Sequence, residues 1–331
     1  MFDVLHKKPS IVQEAKKARF QPIFILQLII FIAVFLVTQL AASLPTLIVS
    51  LIKMISDISN NKVNLQDPTA LNQDYVTGLT DSLMILALFS TVIATALTIV
   101  YVRFIEKRSL YSMGFVKKNA FRDYIIGLFV GAIMFAASVL LAWLSGSLEY
   151  KAVILGNSLG LVIVFFFGFI LQGMSEEVIL RGYLMVSIAT KKPIILAILA
   201  NSVLFALIHI FNNGITVLSL INLTLFGVFA SLYALRSDSI WGICAIHSTW
   251  NFTQGNVFGI SVSGIQVEAS ILSFIPTNTN TIMNGGSFGL EGGLAVTIVL
   301  VIGIVVNLLL KSKNVQKTQV PEMDIGITKI L

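Results

Sequence analysis

Five ionisable side chains lie inside long apolar stretches of this chain, where a charge is costly. They are Glu176, Glu177, Arg181, His209 and His247, and they include two of the three histidines in the sequence. An ionisable group inside hydrocarbon is by default a functional-site candidate. Because a carboxylate and an imidazole can share and activate a water molecule, these residue types favour acid–base chemistry on a bound water.

The positions of the two glutamates predict different roles for them. Glu177 and Arg181 are four residues apart, so they share one helix face in the order that favours an ion pair. We interpret this pair as mainly structural. Glu176 is turned by about 100° from that face and has no such partner. A poorly hydrated carboxylate without a partner suits general acid–base catalysis, so Glu176 is the predicted catalyst.

Two polar stripes are expected on neighbouring helices. One consists of Asn201, Phe205 and His209, and the other of Cys244, His247 and Asn251. At a rise of about 1.5 Å per residue, Glu176, His209 and His247 lie roughly 16–24 Å along their helices from one common side. The spacing therefore predicts that acid and imidazole groups meet at a similar depth.

Two schemes for water attack on an amide carbonyl fit these residues. In the first, Glu176 and one histidine activate the water, while the other histidine and the Asn251 carboxamide donate hydrogen bonds to the oxyanion. In the second, both histidines and Glu176 form an open zinc site. Cys244 is interpreted as a small apolar residue and not as a nucleophile.

The composition indicates what kind of protein positions these residues. Of 331 residues, 56% are hydrophobic and only 11% are charged, and the mean hydropathy is +0.91. A soluble domain carries roughly 25% charged residues, so this chain cannot cover a water-facing surface. A disulfide scaffold is also excluded, because Cys244 is the only cysteine. The sequence predicts a polytopic membrane protein.

Long apolar windows predict eight transmembrane helices in an all-α bundle with a polar active-site chamber inside the membrane. The spans cover residues 22–52, 82–102, 124–147, 157–190, 193–212, 215–235, 239–258 and 290–310. We expect a membrane domain over residues 22–311, with cytoplasmic tails over residues 1–21 and 312–331. Residues 259–289, which lack Lys and Arg, are expected to form a connector, with a lid or a re-entrant segment as the alternatives.

The basic residues predict the orientation of the chain. Of its 22 Lys and Arg residues, only Lys53, Lys62 and Lys151 fall in segments on the side opposite the N-terminus, and Arg181 lies within a span. This bias places both termini in the cytoplasm. No basic face with interleaved aromatic residues remains, so the net charge of +6 does not predict nucleic-acid binding.

Four short motifs follow one another along the predicted helices. They are the segment Arg108-Ser-Leu-Tyr-Ser-Met-Gly114-Phe115, then Glu176-Glu177-x-x-x-Arg181, Phe205-x-x-x-His209 and His247-x-x-x-Asn251. In this order they resemble the CAAX-protease and bacteriocin-processing family, whose members are intramembrane endopeptidases related to the type II CAAX prenyl protease. The resemblance implies a protease core over roughly residues 100–311.

The resemblance also implies a role for each motif residue. Glu176 and His209 activate the water, and His247 and Asn251 stabilise the oxyanion, or His247 joins Glu176 and His209 in a zinc site. Glu177, Arg181 and Phe205 match the remaining positions and support the site. The chain has no HExxH motif, so a metalloprotease and a metal-free glutamate mechanism both stay open.

The resemblance further implies the substrates and the location. Eukaryotic members remove the C-terminal tripeptide from prenylated CAAX proteins, and prokaryotic relatives are linked to peptide processing and to self-immunity against bacteriocins. We expect a peptide or lipid-anchored protein as substrate, membrane lipid as the other partner and a bacterial plasma membrane as the location. A non-catalytic scaffold or immunity protein is one alternative. A proton-coupled transporter is another, because intramembrane Glu and His also relay protons.

Overall fold

The computed structural model describes residues 3–60, 80–154, 159–277 and 280–312, and it is mostly helical, at 74%. The helices long and apolar enough to cross a bilayer are Phe24–Ser59, Asp81–Ile105, Ala120–Leu144, Leu159–Lys191 and Val217–Ser237. The predicted class of all-α membrane protein is therefore confirmed. Residues 61–79 of the first predicted outer loop and residues 313–331 of the predicted C-terminal tail lie outside the described residues.

The chain alternates apolar helices with short connections. In chain order the helices are α1 (Asp3–His6), α2 (Ser10–Ala15), α3 (Phe24–Ser59), α4 (Asp81–Val100), α5 (Ala120–Leu144), α6 (Leu159–Glu177), α7 (Val186–Lys191), α8 (Ile194–Leu207), α9 (Val217–Ser237), α10 (Trp241–Phe252), α11 (Thr281–Asn284) and α12 (Leu294–Leu309). Three π-helical segments, Tyr101–Ile105, Val178–Met185 and Thr253–Val257, continue α4, α6 and α10. Single π-helical insertions are frequent at functional sites.

Each of the eight predicted spans contains a helix, but three of these helices are short. α8 and α12 have 14 and 16 residues, and α10 has 12. Crossing a bilayer takes about 20 apolar residues. The number of eight crossings therefore stays a prediction.

Helix α10 lies in the interior of the bundle, where nearly all of its residues are buried. Glycines on α5 and α6 allow this close packing. A Cβ at Gly127 would lie 2.3 Å from the Gly242 carbonyl oxygen, and a Cβ at Gly173 would lie 2.6 Å from the Ser248 amide nitrogen. Small residues at such contacts let helix backbones approach each other in a membrane. This approach brings polar residues of α6 and α10 within hydrogen-bonding distance.

The outer surface of the bundle is apolar. Large hydrophobic side chains are more than half exposed along α3, α5 and α12, for example Ile29, Phe129 and Ile302. In lipid, such a surface is favourable, whereas polar side chains face the bundle interior or a cavity. The interior is therefore where a site is expected.

Residues 258–277 and 280–293, part of the expected connector, are held by backbone hydrogen bonds and a strand pair, and we call them the cap. Strands β1 (Leu148–Val153) and β2 (Leu272–Pro276) pair antiparallel and join the cap to the segment after α5. Within the cap, the Gly264 amide donates to the Phe288 carbonyl at 2.8 Å. These backbone hydrogen bonds fold the segment back over the bundle, so it can contribute side chains to a site.

The N-terminal segment packs against the bundle. Ile11 and Val12 are buried, the Ile11 amide donates to Asp238 Oδ1 at 2.9 Å, and Lys8 Nζ donates to the Ala189 carbonyl at 2.6 Å. The division of the chain at residue 21 stays a prediction, but residues 3–21 contact the helices that follow them.

Candidate active site

A cavity of about 260 Å³ lies among α4, α6, α9, α10, α12, the end of α8 and the cap. Its polar lining residues are Thr91, Gln172, Glu176, His209, Asn212, Asn222, His247, Asn251, Ser263 and Glu291. The structure thus brings all four predicted catalytic residues to one cavity. Pockets for small ligands start at roughly 300 Å³, so this cavity is close in size to a small binding site.

Glu176 and Glu177, at the end of α6, have different surroundings. Glu176 lines the cavity, whereas the Glu177 side chain is fully buried. Gln172, one turn earlier, donates from Nε2 to Glu176 Oε1 at 2.5 Å. Glu176 Oε2 makes no hydrogen bond within the described chain and lies 3.7 Å from His247 Nε2. This oxygen is itself buried, and its hydrogen-bonding capacity is not used within the described chain.

The predicted ion pair between Glu177 and Arg181 is present. Arg181 Nη1 lies 2.8 Å from Glu177 Oε1, and both side chains are fully buried. The same oxygen also lies 2.8 Å from His247 Nδ1, a contact that the sequence analysis missed. Because an ionised carboxylate only accepts hydrogen bonds, Nδ1 carries a proton, and Nε2 is left for Glu176 and the cavity. Glu177 therefore also orients His247.

His209 does not lie on a helix, contrary to the predicted span of residues 193–212 and the predicted stripe. Helix α8 ends at Leu207, and the His209 amide donates to the Ala206 carbonyl. The Phe205 carbonyl would accept that amide in a longer helix, but it binds His209 Nδ1 at 2.8 Å instead. A carbonyl only accepts, so Nδ1 carries a proton, and Nε2 makes no hydrogen bond within the part of the chain that the structure describes. The turn thereby fixes the orientation of the imidazole.

Phe205 contacts both histidines. Its ring centroid lies 4.9 Å from that of His209 and 6.0 Å from that of His247. The guanidinium carbon of Arg181 lies 4.8 Å from the Phe205 centroid, within the range of a cation–π interaction. One aromatic ring therefore fixes the relative positions of residues from three separate stretches of the chain.

Gln172 links Glu176 to Asn251, and the sequence analysis did not single it out. While Gln172 Nε2 donates to Glu176, its Oε1 accepts from Asn251 Nδ2 at 2.9 Å. The carboxylate can only accept, so it fixes the direction of the whole chain of hydrogen bonds. Gln172 could have been identified from the sequence, because it lies one helical turn before Glu176 within an apolar run.

Asn201 and Cys244, the first residues of the two predicted stripes, do not line the cavity. Asn201 Nδ2 donates to Ser231 Oγ at 2.9 Å and so connects α8 to α9. Cys244 is fully buried on α10. Asn201 is therefore a helix-packing contact, and the burial of Cys244 fits a small apolar residue.

The three candidate zinc ligands line one cavity, and their role as metal ligands stays a prediction. Two imidazoles and a carboxylate suit zinc chemically. However, within residues 3–60, 80–154, 159–277 and 280–312, no three His, Cys, Asp or Glu side chains are arranged to hold a metal ion. Zinc therefore enters no step derived below.

Glu291 is a second carboxylate on the cavity wall that the sequence analysis missed. It lies between Gly289 and Gly293, just before α12, and is only 8% exposed. Its Oε1 accepts from Trp250 Nε1 at 3.3 Å, and its Oε2 accepts from the Ser263 amide at 2.9 Å and from Ser263 Oγ at 2.8 Å. Glu291 could have been identified from the sequence, because it is an acidic residue at the edge of an apolar span.

The family model described as Type II CAAX prenyl endopeptidase Rce1-like matches residues 158–253. The match begins just before α6 and ends just after α10, so it contains Glu176, His209, His247 and Asn251. It confirms the resemblance expected from the motifs. No curated protein and no solved structure matches the chain.

Proposed function

We propose that this integral membrane protein, whose residues 158–253 match the Rce1-like family of type II CAAX prenyl endopeptidases, is an intramembrane endopeptidase. Its substrate is a small peptide or a membrane-anchored protein. The observation that carries this proposal is the cavity that Glu176, His209, His247 and Asn251 line together, next to which the buried Glu176 Oε2 has no hydrogen-bond partner in the described chain.

Glu176 and His209 activate the attacking water in this proposal. The Glu176 carboxylate takes one proton from the water, and His209 Nε2 accepts a hydrogen bond from the other O–H. The water oxygen adds to the carbonyl carbon, and the carbonyl oxygen becomes an oxyanion. The proton on Glu176 then passes to the amide nitrogen, the carbon–nitrogen bond breaks, and a carboxylic acid and an amine leave the site.

His247 and Asn251 stabilise the oxyanion. Asn251 Nδ2 has a second N–H besides the one that it donates to Gln172. His247 donates from Nε2 when its ring is protonated, and the Glu177 carboxylate at Nδ1 stabilises that cation. Each donor aimed at a developing oxyanion contributes about 10²–10³ to kcat. The two residues therefore supply a large part of the rate.

The reaction as written uses only water and side chains of this chain. We accordingly expect turnover to persist after treatment with a strong zinc chelator. Loss of turnover on chelation, with recovery on addition of zinc, would instead support the metalloprotease scheme with Glu176, His209 and His247 as ligands.

The proposal is tested with purified full-length protein in lipid nanodiscs and a peptide pool read by mass spectrometry. Replacing Glu176 or His209 by Ala lowers kcat by about 10²–10⁴, the range for a general acid–base group. Glu149→Ala, which removes an exposed carboxylate from β1, is the matched control and retains turnover. Wild-type turnover in Glu176→Ala or His209→Ala overturns the proposed site.

A further inference from the structure

We propose that Glu291 forms a subsite for a cationic group of the peptide substrate, such as a Lys or Arg side chain near the scissile bond. This inference rests on the proposed endopeptidase function. The reaction derived above uses Glu176 and leaves the second carboxylate of the cavity without a role.

The hydrogen bonds of Glu291 come from Trp250 of α10 and from Ser263 of the cap. All three of its donors, Trp250 Nε1, the Ser263 amide and Ser263 Oγ, are neutral. Donors that point at a carboxylate favour its charged form. These donors supply no positive charge, however, so a net negative charge remains on the cavity wall.

This charge has no counter-ion among the described residues. No Lys or Arg there lies within ion-pair distance of Glu291, and none lines the cavity. The other ionisable groups on the wall are Glu176, His209 and His247. A buried charge without a partner is destabilising, so its presence in a cavity points to a ligand that supplies the opposite charge.

The cap carries acidic residues and no basic ones. Residues 259–293 contain Glu268 and Glu291 but no Lys or Arg. The Glu268 amide donates to Asp81 Oδ1 at 3.3 Å, and Met84, one turn after Asp81, lines the cavity. Acidic groups around a cavity raise the local concentration of cationic ligands. The absence of Lys and Arg from this segment, which is visible in the sequence, therefore favours a cationic ligand.

The cavity also has an apolar wall suited to the stem of a basic side chain. Val262 and Ile265 of the cap and Val296 and Leu300 of α12 line it together with Glu291. Lys and Arg bury their methylene groups against apolar surfaces while the charged end binds a polar group. A carboxylate beside aliphatic side chains therefore fits a Lys or Arg side chain better than an isolated metal cation.

The test uses peptides that differ only in carrying Lys, norleucine or Glu at successive positions around the scissile bond. Wild-type protein in nanodiscs should favour Lys over norleucine at one position by about tenfold or more in kcat/KM, as expected for a hydrogen bond to a charged group. Glu291→Gln should abolish this preference, and Glu291→Lys should favour the Glu peptide.

Ser263→Ala is the matched control, because it removes one hydrogen bond to Glu291 and leaves the charge. It should keep the preference for Lys, whereas a preference lost equally in Ser263→Ala would mean that Glu291 only fastens the cap. Absence of any preference in the wild type, or its persistence in Glu291→Gln, also overturns the inference. Binding of the same peptides to Glu176→Gln protein is measured in parallel, so the charge preference is tested even if no peptide is cleaved. If no peptide is cleaved, the proposed endopeptidase function fails, whereas the binding measurement still decides the role of Glu291.

Discussion

Two buried arginines are associated with the π-helical segment Val178–Met185: Arg181 belongs to it, and Arg108 donates to its backbone. Their surroundings differ. Arg108 donates from all three guanidinium nitrogens, to Glu106, Ser112, Ser187 and the Gly182 carbonyl. Arg181 donates from Nη1 to Glu177, but its Nε and Nη2 make no hydrogen bond within the described chain. We name these groups the Arg108 cluster (Glu106, Arg108, Ser112 and Ser187) and the Arg181 cluster (Glu177, Arg181 and His247).

The difference separates a structural cluster from a candidate site. Burial raises the pKa of Glu106 and lowers that of Arg108, so each group depends on the other to remain charged. In the Arg108 cluster the hydrogen bonds are complete. Around the Arg181 cluster, Glu176 Oε2 and Glu177 Oε2 also make no hydrogen bond within the described chain. Buried polar atoms without a protein partner are rare and occur at functional sites, so incomplete hydrogen bonding favours the Arg181 cluster as the reactive one.

The largest expected effect is on stability, at Arg108. Arg108→Ala leaves Glu106 buried without its partner and removes the donor to the Gly182 carbonyl. Losing one member of a buried pair costs about 3–5 kcal/mol. We expect the free energy of unfolding to fall by that amount, measured by denaturant titration in detergent, while kcat of the folded fraction stays within about twofold of wild type.

A double variant is the control for Arg108. Glu106→Gln with Arg108→Met removes both charges, so part of the lost stability should return. If the double variant is no more stable than Arg108→Ala, unpaired charge is not the cause. A large fall in kcat of folded Arg108→Ala protein would show that the Arg108 cluster also affects the reaction and is not only structural.

The next largest effect is expected on turnover, at Glu177. In Glu177→Gln the amide oxygen can still accept from Arg181 and His247, and the NH₂ group replaces Oε2, which accepts no hydrogen bond. The charge that supports a protonated His247 is lost. Losing a residue that orients a metal-binding histidine lowers activity by about 10–100-fold, and we expect a fall of the same size for the orienting residue Glu177.

Glu106→Gln is the matched variant in the other cluster. It also removes a buried carboxylate from an arginine, so both variants should lose stability. Only Glu177→Gln should lose kcat, measured per folded molecule with a saturating peptide. Equal kcat values in the two variants would show that Glu177 has the structural role alone, as the sequence analysis assumed.

Much of the fold and part of the site could be predicted from the sequence, because membrane helices have a simple local signal. Runs of about 20 apolar residues require no knowledge of tertiary contacts. The Glu177–Arg181 pair was equally accessible, since both residues share one helix and four positions fix their geometry. For the same reason the different directions of Glu176 and Glu177 could be predicted.

Contacts between separate elements could not be predicted in this way. His209 leaves its helix because its own side chain competes for the Phe205 carbonyl. Helical periodicity does not take such competition between side chain and backbone into account. Asn201 followed the predicted stripe and yet bonds to Ser231 on the next helix. Glu291 reaches the cavity only because the cap folds back over the bundle. Each of these outcomes depends on which elements pack together.

The smallest expected effect concerns Gln172, whose amide connects Glu176 to Asn251. Gln172→Leu removes the donor to Glu176 Oε1 and the acceptor of Asn251 Nδ2. A loss of about 1 kcal/mol in hydrogen bonding corresponds to roughly a fivefold to tenfold lower kcat. KM should stay nearly unchanged, because Glu176 and Asn251 act on the reacting group.

Ser187→Ala is the matched variant in the Arg108 cluster, because it also removes a hydrogen-bonding side chain. It should lower only the free energy of unfolding, by about 1 kcal/mol. A Gln172→Leu protein that changes KM instead of kcat would assign Gln172 to substrate binding. A Ser187→Ala protein with lower kcat would show that the Arg108 cluster, despite its complete hydrogen bonds, is coupled to the reaction through the π-helical segment that contains Arg181 and that Arg108 contacts.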